Sequence, residues 1–83
     1  ELDEASEGSS SSRSRGARRQ IETLSTRQRE VLTLMAKGKL NKQIAYDLGL
    51  SEKTIKMHRA LLIAKLEVST SADAVRIAVE AGL

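Results

Sequence analysis

Seven cations lie between Lys37 and Lys65 (Lys37, Lys39, Lys42, Lys53, Lys56, Arg59 and Lys65), against two acids, Asp47 and Glu52, a net of +5. Ammonium and guanidinium groups gathered in this way bind a polyanion, because each neutralised phosphate releases condensed counterions. The same groups can also bond the acceptor atoms at a guanine edge. Bond-making chemistry finds little support by comparison. His58 is the single histidine and cysteine is absent, so there is no thiolate nucleophile, no His-pair metal site and no disulfide. Serines are plentiful, but most lie in the N-terminal stretch with no histidine placed to activate them. No glycine-rich phosphate loop is present. No catalytic residue, metal or cofactor is expected, and the chain is not read as an enzyme. His58 has two readings: a partly buried ring satisfied by a backbone carbonyl, or a phosphate contact or pH-sensitive element.

The cations need elements to hold them on one surface. The run LSTRQREVLTLMAKG predicts a first helix from about Thr26, with Ser25 or Thr26 as its cap. Ser25 and Gln28 have the capping-box spacing. Val31, Leu32 and Met35 form the apolar stripe, and Gly38 stands where a left-handed C-terminal cap belongs. A short second helix is predicted at about Asn41 to Leu48, capped by Asn41, with Ile44, Ala45 and Leu48 on one face. Gly49 supplies the turn and Ser51 caps a third helix, about Glu52 to Leu66. Ile55, Leu62 and Leu66 recur at steps of seven and four, one buried stripe. Lys53, Lys56, Met57 and Ala60 fall on the other side, free to enter a groove. Helix, glycine-containing turn and basic helix is the layout of a helix-turn-helix unit. A fourth helix is predicted at about Ser71 to Ala81, where Ala74, Val75, Ala78 and Val79 repeat at three and four. Gly82 ends it, and Leu83 is expected to fold back as an apolar plug.

The fold expected is therefore all-α, four helices in one small domain over residues 21–83. Residues 1–20 are expected to be a disordered linker, since ELDEASEG and SSSSRSRGARR hold one large apolar residue, Leu2. Their blunt, acidic start suggests a linker cut from a larger protein, the other reading being the natural tail of a small one. About sixty packable residues bury only roughly 60% of the unfolded surface, so the domain is marginal in size. No apolar run approaches the roughly 18 residues that span a bilayer, so no membrane partner is expected. The lack of cysteine fits a reducing, cytoplasmic setting. Single-stranded nucleic acid is disfavoured, because stacking platforms need aromatics and Tyr46 is alone.

Leu24 to Leu83 resembles the C-terminal helix-turn-helix domain of LuxR/FixJ-type bacterial transcription regulators, including NarL-like response regulators. The matching segments are Leu24 to Leu32, Gly38, NKQIA (Asn41 to Ala45), Leu48 to Ser51, TIK-x-H (Thr54 to His58), KL-x-V (Lys65 to Val68), DAV (Asp73 to Val75) and the terminal GL. The resemblance implies that the third helix enters the DNA major groove. It implies that Lys56 and Met57 face bases, that Lys53, Thr54 and Arg59 contact the groove wall or phosphates, and that Asn41 and Lys42 join them from the second helix. It also implies a homodimer on DNA through the fourth helix, for which Val75, Ala78 and Val79 offer small apolar surface. Double-stranded DNA and RNA polymerase are the partners implied, with a receiver or other sensory domain preceding the linker. Three positions depart from the family pattern. Leu40 stands where Ser, Thr or Pro is usual, Ala60 where some relatives carry a base-contacting Lys, and Ser71 where Arg is common. Two other readings compete: a sigma-factor-like promoter-reading domain, and a protein-interaction helix-turn-helix module without DNA binding.

Overall fold

The computed structural model describes residues 15–83. Among these residues all regular structure is helical: α1 over residues 15–22, α2 Thr26–Ala36, α3 Asn41–Leu48, α4 Glu52–Leu66 and α5 Ser71–Glu80. The last four are the four helices anticipated from the sequence, in the same order and with closely matching bounds.

Their ends follow local chemistry. Ser25 Oγ accepts from the Gln28 backbone N–H at 3.1 Å, and Gln28 Oε1 accepts from the Ser25 N–H at 2.9 Å, the reciprocal capping box. Ser51 Oγ accepts from the Thr54 N–H, and Thr70 Oγ1 from the Asp73 N–H, each at 3.1 Å. The turn between α3 and α4 depends on Gly49 at φ 68, a left-handed conformation that other residues enter only at a cost. One expected cap is corrected. Asn41 is the first residue of α3 rather than its cap, and Leu40 holds the cap position in extended backbone. With no oxygen on the Leu40 side chain, Gln43 reaches back instead, its Oε1 accepting from the Leu40 N–H at 2.8 Å.

The core is built where the helical stripes meet. Val31 and Leu32 of α2, Ile44 of α3, Ile55, Leu62 and Leu66 of α4, and Ala74 and Ala78 of α5 are fully buried. Burial of each large aliphatic contributes about 1.5 to 3 kcal/mol relative to exposure. α2 packs against α3, α4 and α5, and α4 packs against α3 and α5. That arrangement pins α4 by one side and leaves its other side outward.

The expected linker is corrected at its C-terminal end. Residues 15–20 are helical and belong to the folded unit. Ala17, Ile21 and Leu24 recur at steps of four and three, and all three are buried in the core. Arg18, Arg19 and Glu22 face solvent. Gln20 Nε2 donates to the Leu66 carbonyl at 3.2 Å, satisfying one of the orphan carbonyls at the end of α4, and Lys65 Nζ donates to the Thr23 carbonyl at 3.0 Å. The arginine-rich composition concealed this apolar stripe. The rest of the expected linker, residues 1–14, lies outside the described residues.

Candidate nucleic-acid interface

Along α4 the exposed positions Lys53, Lys56, Met57, Ala60, Leu61 and Ala64 form one stripe, opposite the buried Ile55, Leu62 and Leu66. A helix of 15 residues is about 22 Å long and 10 to 12 Å across with its side chains. B-form DNA has a major groove about 12 Å wide, which admits such a helix. Among the described residues Lys53 and Lys56 are exposed and form no ion pair, and Lys42 at the start of α3 is likewise exposed and without one. Asp47, one of the two acids in the basic segment, is taken up by Lys39, whose Nζ lies 2.9 Å from its Oδ2. Glu52 is left in the first turn of α4, where it complements the helix dipole.

Other expected contact residues are placed differently. Thr54 is half-buried, and its Oγ1 accepts from Ser51 Oγ at 2.9 Å, so its hydroxyl belongs to the α4 cap. Arg59 is half-buried and joins three helices. Its Nη1 donates to Asn41 Oδ1 at the start of α3, and its Nη2 donates to Ser71 Oγ at the start of α5. The Nε atom is buried and makes no hydrogen bond. The planar fork of an arginine can serve two helix starts at once, which a lysine cannot do. Asn41 and Arg59 are thus engaged with each other before any ligand arrives. This clasp borders a cleft of about 540 Å³ between the starts of α3 and α5. Serine at position 71 is what gives Arg59 its second acceptor.

His58 is half-buried, and its Nδ1 is buried without a hydrogen bond, so the expected backbone-carbonyl partner is not found at that atom. Among the described residues no three His, Cys, Asp or Glu side chains come together in a metal-binding group.

On α5 the three residues expected at a dimer contact separate. Val79 is 63% exposed and Val75 is half-buried, whereas Ala78 is fully buried against the core. Ala78 is thereby corrected to a packing residue, since Ala74, Ile77 and Ala78 form the inward stripe of α5. Ile77, overlooked in the sequence pattern, supplies the large side chain of that stripe. Leu83 does not plug the core. It remains exposed, although its N–H donates to the Ala78 carbonyl at 2.9 Å.

Comparison with known proteins gives consistent results. The pattern of the family described as bacterial regulatory proteins, luxR family, matches residues 22–78. Transcriptional regulatory protein FixJ of Rhizobium meliloti is 42% identical over 65 residues, covering 78% of this chain and 32% of that protein. Response regulator protein TodT of Pseudomonas putida is 45% identical over 56 residues, covering 68% of this chain and 25% of that protein. The transcriptional regulatory protein YhcZ of Bacillus subtilis is 48% identical over 60 residues, covering 72% and 28%. The crystal structure of full-length FixJ from B. japonicum superposes with a TM-score of 0.84 at 28% identity, over 98% of this chain and 40% of that one. The chain spans about a third or less of the length of the curated relatives named here.

Proposed function

This chain belongs to the luxR family of bacterial regulatory proteins, and on that premise we propose that it is the sequence-specific, double-stranded DNA-binding output domain of a transcription regulator, a two-component response regulator in particular. The observation that carries the proposal is the outward stripe of α4, with Lys53 and Lys56, unpaired among the described residues, beside Met57 and with Lys42 of α3 on the flank. α4 inserts into the major groove. Lys56 and Met57 face base edges, Lys53 and Lys42 meet the phosphates, and Thr54 supports the helix start that lies against the groove wall. Asn41 contributes through its position at the N-terminus of α3, where the helix dipole favours a phosphate.

Two protomers bind paired half-sites, joined through α5 at Val79 with Val75 beside it. The short coverage of the relatives and the name of TodT as a response regulator support a receiver domain in the whole protein. A regulator of this kind works in the cytoplasm and acts on RNA polymerase. The test is selection of bound duplexes from a random pool, followed by footprinting. The expected result is one enriched motif, protected in major-groove positions. Failure to enrich any motif would leave the protein-interaction module as the better description.

A further inference from the structure

The outward stripe of α4 is basic at its N-terminal end and apolar beyond it. Met57 is 51% exposed and Leu61 is 46% exposed, and they lie four residues apart, one turn along the same face. Ala60 and Ala64 complete the stripe and are also exposed. Single exposed apolar side chains are ordinary on a small domain. Here two large ones are adjacent, and they share their face with the unpaired cations that would seat the helix on a polyanion. The alanines keep the helix surface low around them, so the axis can approach the groove floor closely.

Resting on the DNA-binding function proposed above, we propose that Met57 and Leu61 form an apolar edge that reads the C5-methyl groups of thymine. Neither Leu61 nor the alanines can donate or accept a hydrogen bond, and a Met thioether is only a weak acceptor. The donor and acceptor code of the major groove is therefore beyond this half of the helix. The thymine methyl is the apolar feature that the major groove offers, and contact with it is a direct readout. Successive side chains at i and i+4 rise about 6 Å along the helix, and bases rise about 3.4 Å along a strand. The pair therefore spans about two base steps, next to the position that Lys56 reaches. The bound site should carry thymine at one or two positions beside the pair read by Lys56.

The decisive experiment replaces thymine by deoxyuracil, position by position, in the selected duplex. That change removes a methyl group and leaves every hydrogen-bonding atom in place. With the unaltered chain, deoxyuracil at the contacted positions should weaken binding about fourfold per methyl, as expected for one buried methyl-sized group. With Met57→Ala or Leu61→Ala, the penalty at the matching position should vanish, while helicity and the salt dependence of binding stay unchanged. A selected site without thymine under α4 overturns the proposal. So does equal affinity for thymine and deoxyuracil duplexes, or an identical deoxyuracil penalty in the unaltered chain and both variants. Absence of a salt-dependent complex with any duplex would remove the DNA-binding function itself, a result distinct from these.

Discussion

Replacing Ile21 by Ala tests whether α1 belongs to the folded unit. Ile21 is 5% exposed, packed in the core with Ala17 and Leu24. Ile-to-Ala changes in a core remove both transfer free energy and contacts, and cost about 2 to 5 kcal/mol. α1 is short and borders the core, so it can relax into part of the cavity, and the expected loss is about 2 to 3 kcal/mol. A domain the size of residues 15–83 has about 3 to 10 kcal/mol to lose, at about 0.05 to 0.15 kcal/mol per residue. At about 4 to 8 °C per kcal/mol, the melting temperature should fall by about 10 to 20 °C. Urea denaturation followed by circular dichroism gives the free energy directly. Arg18→Ala, on the solvent side of the same helix, is the control and should stay within about 0.5 kcal/mol. A melting temperature for Ile21→Ala within about 2 °C of the unaltered chain would refute the docking of α1, and residues 15–22 would then revert to a linker.

Three further outcomes are expected. Arg59→Ala should lower stability by about 1 to 3 kcal/mol, because it removes the fork shared by Asn41 and Ser71, yet leave the salt slope of DNA binding unchanged; a slope smaller by about one unit would make Arg59 a phosphate contact instead. Lys56→Ala should cost about 1 to 3 kcal/mol on the selected site and relax its sequence preference, and equal losses on selected and random duplexes would reassign Lys56 to the backbone. Val79→Glu places a charge on a 63% exposed position and should leave the domain folded, while weakening binding to paired half-sites far more than to a single half-site; unchanged binding to both would take α5 out of assembly on DNA.

Much of the fold was legible because short-range chemistry decided it. Ser25 with Gln28, Ser51 and Gly49 stand at helix boundaries, and the structure uses each as a cap or turn. The stripe of Ile55, Leu62 and Leu66 was also plain, since one helix period accounts for it. What escaped depended on contacts between segments far apart in sequence. The Gln20 bond to Leu66 crosses 46 positions, and nothing near Gln20 announces it. Ala17, Ile21 and Leu24 did carry a helical spacing, but only three apolar residues stood among charges. Arg59 looked like one more cation in a basic run, and only the approach of Asn41 and Ser71 turns it inward. Ala78 and Val79 are sequence neighbours of similar character, and the packing of α5 on α2 and α4 decides which one is buried.

The salt dependence of binding to the selected duplex tests DNA recognition most directly. Of the seven cations from Lys37 to Lys65, Lys39 is paired with Asp47, Arg59 is engaged between helices, Lys65 is bonded to Thr23 and Lys37 caps the end of α2; Lys42, Lys53 and Lys56 are left on the α3–α4 face with no ion pair among the described residues, Lys42 and Lys53 for phosphates and Lys56 for a base edge. Two phosphates neutralised per protomer give a slope of log K against log salt of about −1.8, and about −3.6 for two protomers on paired half-sites. Replacing Lys42 and Lys53 by Ala should bring that slope close to zero. A slope near zero for the unaltered chain, or no complex with duplex DNA at about 50 mM salt, would contradict recognition of DNA through α4.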